Sequence, residues 1–128
     1  MPKLMIVKKF EFEAGHHLPN HSGACKYRHG HSYKLAVGIS GPMDVHSGMI
    51  ADFKQLKDLV KELVVDRLDH SRLNDLGSIA DFPADCPTAE NMGLRMVKVL
   101  HPGLKITGTE LAPVQLWKTS GSYFEWRT

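Results

Sequence analysis

The sequence predicts an α+β domain, with a four-stranded antiparallel sheet and two helices on one face. Three observations carry this reading. Two early stretches have strand-like patterning, two later stretches carry helix signals, and the chain closes on a hairpin pattern. The predicted order is strand, strand, helix, helix, strand, strand. The 128 residues suit a single domain spanning 1–128.

The first strand runs from about Leu4 to His16. Ile6, Phe10 and Phe12 share one parity, and Lys8 interrupts it. The turn-formers Pro19-Asn20-His21-Ser22-Gly23 follow. A second strand spans about His29 to Ser40, and Gly41-Pro42 closes it. Asp52 can cap a helix to about Arg67, in which Phe53, Leu56, Val60 and Leu63 recur at helical spacing opposite Lys and Glu. Leu68-Asp69-His70-Ser71 and Asn74-Asp75 end it. A second helix starts at Pro87-Thr88, with Thr88 as N-cap, and runs to about Leu100, where His101-Pro102-Gly103 is a stop. Strands at about Val114–Thr119 and Tyr123–Arg127 flank a Ser120-Gly121 turn. So small an open sheet leaves edge strands, which proteins often cover by oligomerising.

Hydrophobic residues at 42% and charged residues at 23% are ordinary for a globular protein with a real core. A net charge of +2, with no long basic run and no stripe of stacking aromatics, argues against nucleic acid. The mild positive balance does suit an anionic small molecule. Cys25 and Cys86 are a weak basis for a disulfide, so both are read as free thiols in a reducing compartment. No apolar run of about 18 residues is present, so no membrane span is expected. The start MPKLMIVKKFEFE lacks a secretory h-region and cleavage site. A cytoplasmic location is the expectation.

Eight histidines are many for this length. His29-Gly30-His31 opens the second strand, where residues two apart face the same side. Antiparallel pairing would bring His16, at the end of the first strand, beside them. Three neutral imidazoles suit zinc, and three protein ligands leave a fourth position open for chemistry. The HGH pair alone is equally compatible with two exposed histidines. His16, Cys25 and Asp69-His70 make chance a weaker explanation.

Cys25 lies between Lys26 and Arg28 on one side and a polar loop on the other. Flanking cations and a nearby zinc would favour thiolate, a candidate base or nucleophile. Its alternative reading is a small buried apolar residue. In Asp69-His70 a carboxylate beside an imidazole suits a proton relay, although the same dipeptide also serves as a solvated helix end. His17, His21, His46 and His101 are read as surface residues.

Taken together, Phe12-Glu13-Ala14-Gly15-His16-His17-Leu18, Cys25 followed by His29-Gly30-His31, Leu68-Asp69-His70 with Leu73-Asn74-Asp75, and Pro87-Thr88-Ala89-Glu90-Asn91 resemble the 6-pyruvoyltetrahydropterin synthase superfamily. The likeness covers nearly the whole chain, in order. The three residues between Cys25 and His29 look like the bacterial 6-carboxytetrahydropterin synthases of queuosine and deazapurine biosynthesis.

The resemblance implies a tunnelling fold, in which trimers pool their sheets into a barrel and stack as homohexamers, with sites between subunits. It implies zinc on His16, His29 and His31, with Cys25 as general base and Asp69 and His70 as proton relay. The implied reaction converts 7,8-dihydroneopterin triphosphate to 6-carboxytetrahydropterin, acetaldehyde and triphosphate. Thr88, Glu90, Lys118 and Glu110 are the substrate-binding candidates.

One departure matters. The family usually carries a Trp-Glu-Thr-like run whose carboxylate accepts from the amino-pyrimidine edge of the pterin. The corresponding run here is Leu116-Trp117-Lys118-Thr119, and lysine only donates. Glu110 or a neighbouring subunit's carboxylate could substitute, the substrate could present acceptors instead, or activity could be weakened. The alternatives are therefore the same fold and zinc on another substrate, a triphosphate lyase of the pyruvoyl type, and a non-catalytic zinc- or pterin-binding protein.

Overall fold

The computed structural model describes residues 4–16, 29–69, 71–72, 88–104 and 106–128, with the side chains of residues 16, 29–31 and 71–72 outside that description. Its strands are β1 (Met5–His16), β2 (His29–Ser40), β3 (Ser71–Arg72), β4 (Glu110–Thr119) and β5 (Ser122–Trp126). Its helices are α1 (Phe53–Val60), continued by a π-helical segment (Lys61–Val65) and α2 (Asp66–Leu68), and then α3 (Ala89–Gly103).

The four long strands pair antiparallel in the order β1-β2-β4-β5. The short β3 adds to the outer edge of β1 in parallel, with Ala14 opposite Ser71 and Gly15 opposite Arg72. No local pattern in the sequence marks β3, because two residues are too few to show a period.

Alternation in the strands builds the core. Phe10, Phe12 and Ala14 of β1 are buried with Tyr33, Leu35, Val37 and Ile39 of β2 and Leu111, Val114 and Leu116 of β4. The helices cover that face with Leu56, Val60, Val64, Val65 and Leu68 on one side and Met92, Met96, Val97 and Leu100 on the other. Phe12 and Tyr33 stack with ring centroids 5.1 Å apart. The opposite face carries Lys9, Glu11, Glu13, Ser32 and Lys34, all exposed.

Both predicted helix starts hold. The Asp52 carboxylate accepts the Lys54 N–H at 2.8 Å, and the Thr88 hydroxyl oxygen accepts the Asn91 N–H at 3.1 Å. The first helical face differs from its periodic reading. Phe53 is 51% exposed and Leu63 only partly buried, whereas Val64 and Val65 are both buried. The π-helical segment causes this, because its wider turn shifts which side chains meet the sheet.

Two boundaries also move. The expected stop after Leu100 lies a turn early, since α3 continues through Pro102 to Gly103. Gly103 sits against Leu63, where a Cβ would collide with that side chain, so packing against the first helical unit favours the extra turn. In addition, β4 begins at Glu110 rather than Val114. Pro113 is accommodated inside the sheet because the β2–β4 register shifts between Val37 and Ile39. Gly38 lies in that shift, and a Cβ there would strike Ala112 O and the Pro113 ring.

Candidate active site

The β1–β2 register settles the backbone arrangement of the three candidate histidines. His16 lies directly opposite His29, and His31 lies opposite Ala14. Opposed residues in an antiparallel pair have Cα atoms roughly 4.5–5.5 Å apart, and the next position of the same parity lies about 7 Å along the strand. All three positions thus fall on neighbouring rungs at one end of the sheet. They continue the parity of Phe10, Phe12 and Ala14 on β1 and of Tyr33 and Leu35 on β2. This spacing fits a three-imidazole zinc site. The histidine side chains lie outside the described residues, as do Cys25, Cys86 and His70. Among the described residues, no group of three or more His, Cys, Asp or Glu side chains is arranged to hold a metal.

Asp69 is at the same end. It follows α2, and its Oδ1 accepts the Glu13 N–H of β1 at 2.8 Å. The Glu13 carboxylate in turn accepts from the Ser32 hydroxyl at 2.6 Å. Asp69 therefore ties the chain leaving the helix to the strand that ends in His16.

The substrate-binding candidates separate into two places. Thr88, Glu90 and Lys118 line one cavity of about 340 Å³, together with Ser122, Tyr123 and Phe124. It lies where the start of α3 meets the β4–β5 hairpin. The β2–β4 pairing starts at Lys34 opposite Trp117, so Lys118 lies one residue beyond, toward the end of β2 that carries His29 and His31. Glu110 begins β4 and lines a different cavity, with His101, Thr109 and Leu111. It is roughly 26 Å from Lys118 at about 3.3 Å per strand residue, so within one chain it does not take the place of a carboxylate there.

Ser122, Tyr123 and Phe124 were absent from the sequence-based candidates. Their signal was the predicted hairpin, because folding back at Ser120-Gly121 sets Phe124 opposite Leu116 and Tyr123 opposite Trp117. Trp117 and Tyr123 stack at 4.7 Å between centroids. Phe124 is held from below by α3, where Gly93 leaves no space for a Cβ against its ring.

A third cavity, of about 560 Å³, involves Lys9, Glu11, Lys34, Trp117 and Ser120. It is an open surface, with Lys34 Nζ 3.9 Å from Glu11 Oε1. Farther out, the Glu125 carboxylate accepts from Gln115 and Arg127, which hold it below the usual glutamate range. No helix is long and apolar enough to cross a membrane among the described residues.

An antiparallel sheet with two helices on one face, and with His16, His29, His31 and Asp69 at one end of it, defines a tunnelling-fold domain. The chain belongs to the 6-pyruvoyl tetrahydropterin synthase family, whose pattern matches residues 5–128. It is 37% identical over 111 residues to a putative 6-carboxy-5,6,7,8-tetrahydropterin synthase of Archaeoglobus fulgidus, covering 86% of this chain and 88% of that one. It is 32% identical over 114 residues to the 6-carboxy-5,6,7,8-tetrahydropterin synthase of Rickettsia bellii, covering 79% and 83%. The structure of Caenorhabditis elegans 6-pyruvoyl tetrahydropterin synthase superposes with a TM-score of 0.83 at 26% identity, over 100% of this chain and 97% of that one.

Proposed function

We propose that this chain is a zinc-dependent carbon–carbon lyase that converts 7,8-dihydroneopterin triphosphate to 6-carboxytetrahydropterin, releasing acetaldehyde and triphosphate. The observation that carries the reading is the register of β1 on β2, His16 opposite His29 and Ala14 opposite His31. Several relatives named 6-carboxy-5,6,7,8-tetrahydropterin synthase support the reaction class.

In this reading His16, His29 and His31 hold one zinc ion, which when bound supplies a Lewis acid that acidifies C–H and O–H groups beside the oxygens it coordinates. Cys25 accepts a proton from the substrate side chain, and its thiolate is favoured by Lys26 and Arg28. His70, oriented by Asp69, moves a proton on the other side of the reacting carbons. Thr88, Glu90 and Lys118 hold the heterocycle. The protein works in the cytoplasm as a trimer or homohexamer, its open sheet edges covered by neighbouring copies.

A second reading keeps fold and zinc but changes the substrate, and Lys118 is the observation that favours it. Incubating the purified protein with 7,8-dihydroneopterin triphosphate and measuring acetaldehyde separates the two. Acetaldehyde released in step with 6-carboxytetrahydropterin is the expected result. A pyruvoyl product, or no product from zinc-loaded protein, would overturn the assignment.

A further inference from the structure

The polar face of the sheet carries a cross-strand hydrogen bond one rung from a proposed zinc ligand. The Ser32 hydroxyl donates to the Glu13 carboxylate at 2.6 Å, a length typical of a charge-assisted O–H···O⁻ bond. The Glu13–Ser32 rung adjoins the Ala14–His31 rung. A second contact leaves Glu13 in another direction, its N–H donating to Asp69 Oδ1 at 2.8 Å. A backbone N–H spent on Asp69 is not directed at β2. Glu13 and Ser32 are therefore a non-hydrogen-bonded pair of the ladder, the kind whose side chains come closest. At this rung the side chains join the two strands.

Toward the histidine end the ladder has less to hold it. Gly15 lies opposite Gly30, between the Ala14–His31 and His16–His29 rungs. That pair has no side chains to fix its alignment, and glycine-rich strands specify register weakly. The register matters for metal. A slip of one residue would set His16 opposite Gly30 and put the histidines of the two strands on opposite faces.

We infer that Glu13 and Ser32 are positioning residues for the metal, their hydrogen bond clamping β1 to β2 in the one register at which His16, His29 and His31 converge. The clamp lies on the face away from the histidine parity, so it acts through the backbone and does not touch the ion. Glu13 also links the clamp to Asp69, which ties the proposed proton relay to the strand pair that holds the ligands. The inference rests on the zinc reading above and deepens it, by naming what sets the geometry of the ligand set.

The test is zinc affinity of the full chain, measured by competition with a chromophoric chelator. Ser32→Ala and Glu13→Ala are each expected to weaken zinc by about tenfold, the scale of one charge-assisted hydrogen bond. Glu13→Ala keeps the N–H that Asp69 accepts, so it isolates the clamp from that anchor. The double variant should lose no more than either single one, because both remove the same bond. Ser32→Thr restores the hydroxyl and should return the affinity to within about twofold of the parent chain. Glu13→Gln, which keeps an acceptor without the charge, should fall between Glu13→Ala and the parent. Cobalt(II) provides a readout of geometry, since its visible absorption depends on the coordination shape. That absorption is expected to change in the alanine variants and to recover in Ser32→Thr, while circular dichroism of all the metal-free chains stays the same.

Parental zinc affinity and an unchanged cobalt spectrum in both alanine variants would overturn the clamp. So would losses that add in the double variant, or a Ser32→Thr chain as weak as Ser32→Ala. If an alanine variant does not fold, Glu13→Gln and Ser32→Thr decide the matter by the same comparison. The zinc reading fails separately, when the parent chain takes up no zinc or His31→Ala binds it as the parent does, and the clamp then falls with it. Zinc lost in His31→Ala but undiminished in Ser32→Ala and Glu13→Ala refutes the clamp alone.

Discussion

Asp69 is bonded to the backbone of Glu13, its Oδ1 accepting the Glu13 N–H at 2.8 Å. The residues that follow stay on the same strand, Ser71 opposite Ala14 and Arg72 opposite Gly15. One side chain thus anchors the helix exit to the end of β1 that carries His16. Asp69→Ala is expected to lower stability by about 1 kcal/mol through the lost hydrogen bond. Asp69→Asn keeps an acceptor oxygen and should stay within about 0.5 kcal/mol of the parent chain. Urea unfolding checks both values, and equal losses for the two variants would contradict the anchor. Turnover should fall in both, since neither retains the carboxylate of the proposed relay.

Metal content addresses the histidines. One zinc per chain is the expected result of elemental analysis, and His31→Ala should reduce it to background. Cys25→Ala should keep the zinc and lower turnover by about 10²–10⁴-fold, the usual contribution of a positioned base. Full zinc in His31→Ala would eliminate that residue as a ligand. Loss of zinc from Cys25→Ala would reassign Cys25 from base to ligand.

The contact between Gly93 and Phe124 makes an unusual helix substitution unfavourable. Gly93→Ala adds helix propensity worth about 1 kcal/mol. It also drives a methyl into the Phe124 ring, and overpacking of this kind costs about 1–3 kcal/mol. Net destabilisation is expected in urea or thermal unfolding, with weaker pteridine binding because Phe124 lines the cavity. A more stable variant with unchanged binding would show that the ring moves aside freely.

Glu125 provides a pH signature. Its carboxyl is held below the usual glutamate range, chiefly because Gln115 donates to it and then because Arg127 does. A carboxyl whose folded pKa is depressed binds protons more weakly in the folded state. Its contribution is present above the unfolded value and is lost as pH falls through the folded one. Glu125→Gln should therefore flatten part of the acid limb of a Tm-against-pH curve and leave the neutral region little changed. An acid limb identical to that of the parent chain would count against this pairing.

Local pattern made much of the framework legible. Alternation around Phe10, Phe12, Tyr33 and Leu35 marks β1 and β2, and β2 has the bounds its sequence suggests. Asp52 and Thr88 cap the helices they were expected to cap. These signals are readable because they depend on residues within a turn or two of one another. The π-helical segment, the extra turn through Pro102 and the entry of Pro113 into β4 were not readable, because each depends on a partner from another element. For Pro102 that partner is Leu63 against Gly103, and for Pro113 it is the register shift at Gly38.

By itself, the sequence determined the residue types available for chemistry: an HGH pair, a nearby cysteine, an Asp-His dipeptide and a lysine at position 118. Tertiary structure decided which positions meet. Sheet register put His16 opposite His29, because only pairing between strands sets lateral neighbours. Packing of α3 against the hairpin set Glu90 and Lys118 around one cavity and left Glu110, at the other end of β4, in a different one. A cavity wall drawn from separate elements has no local periodicity to reveal it, and it exists only once the helix has docked on the sheet.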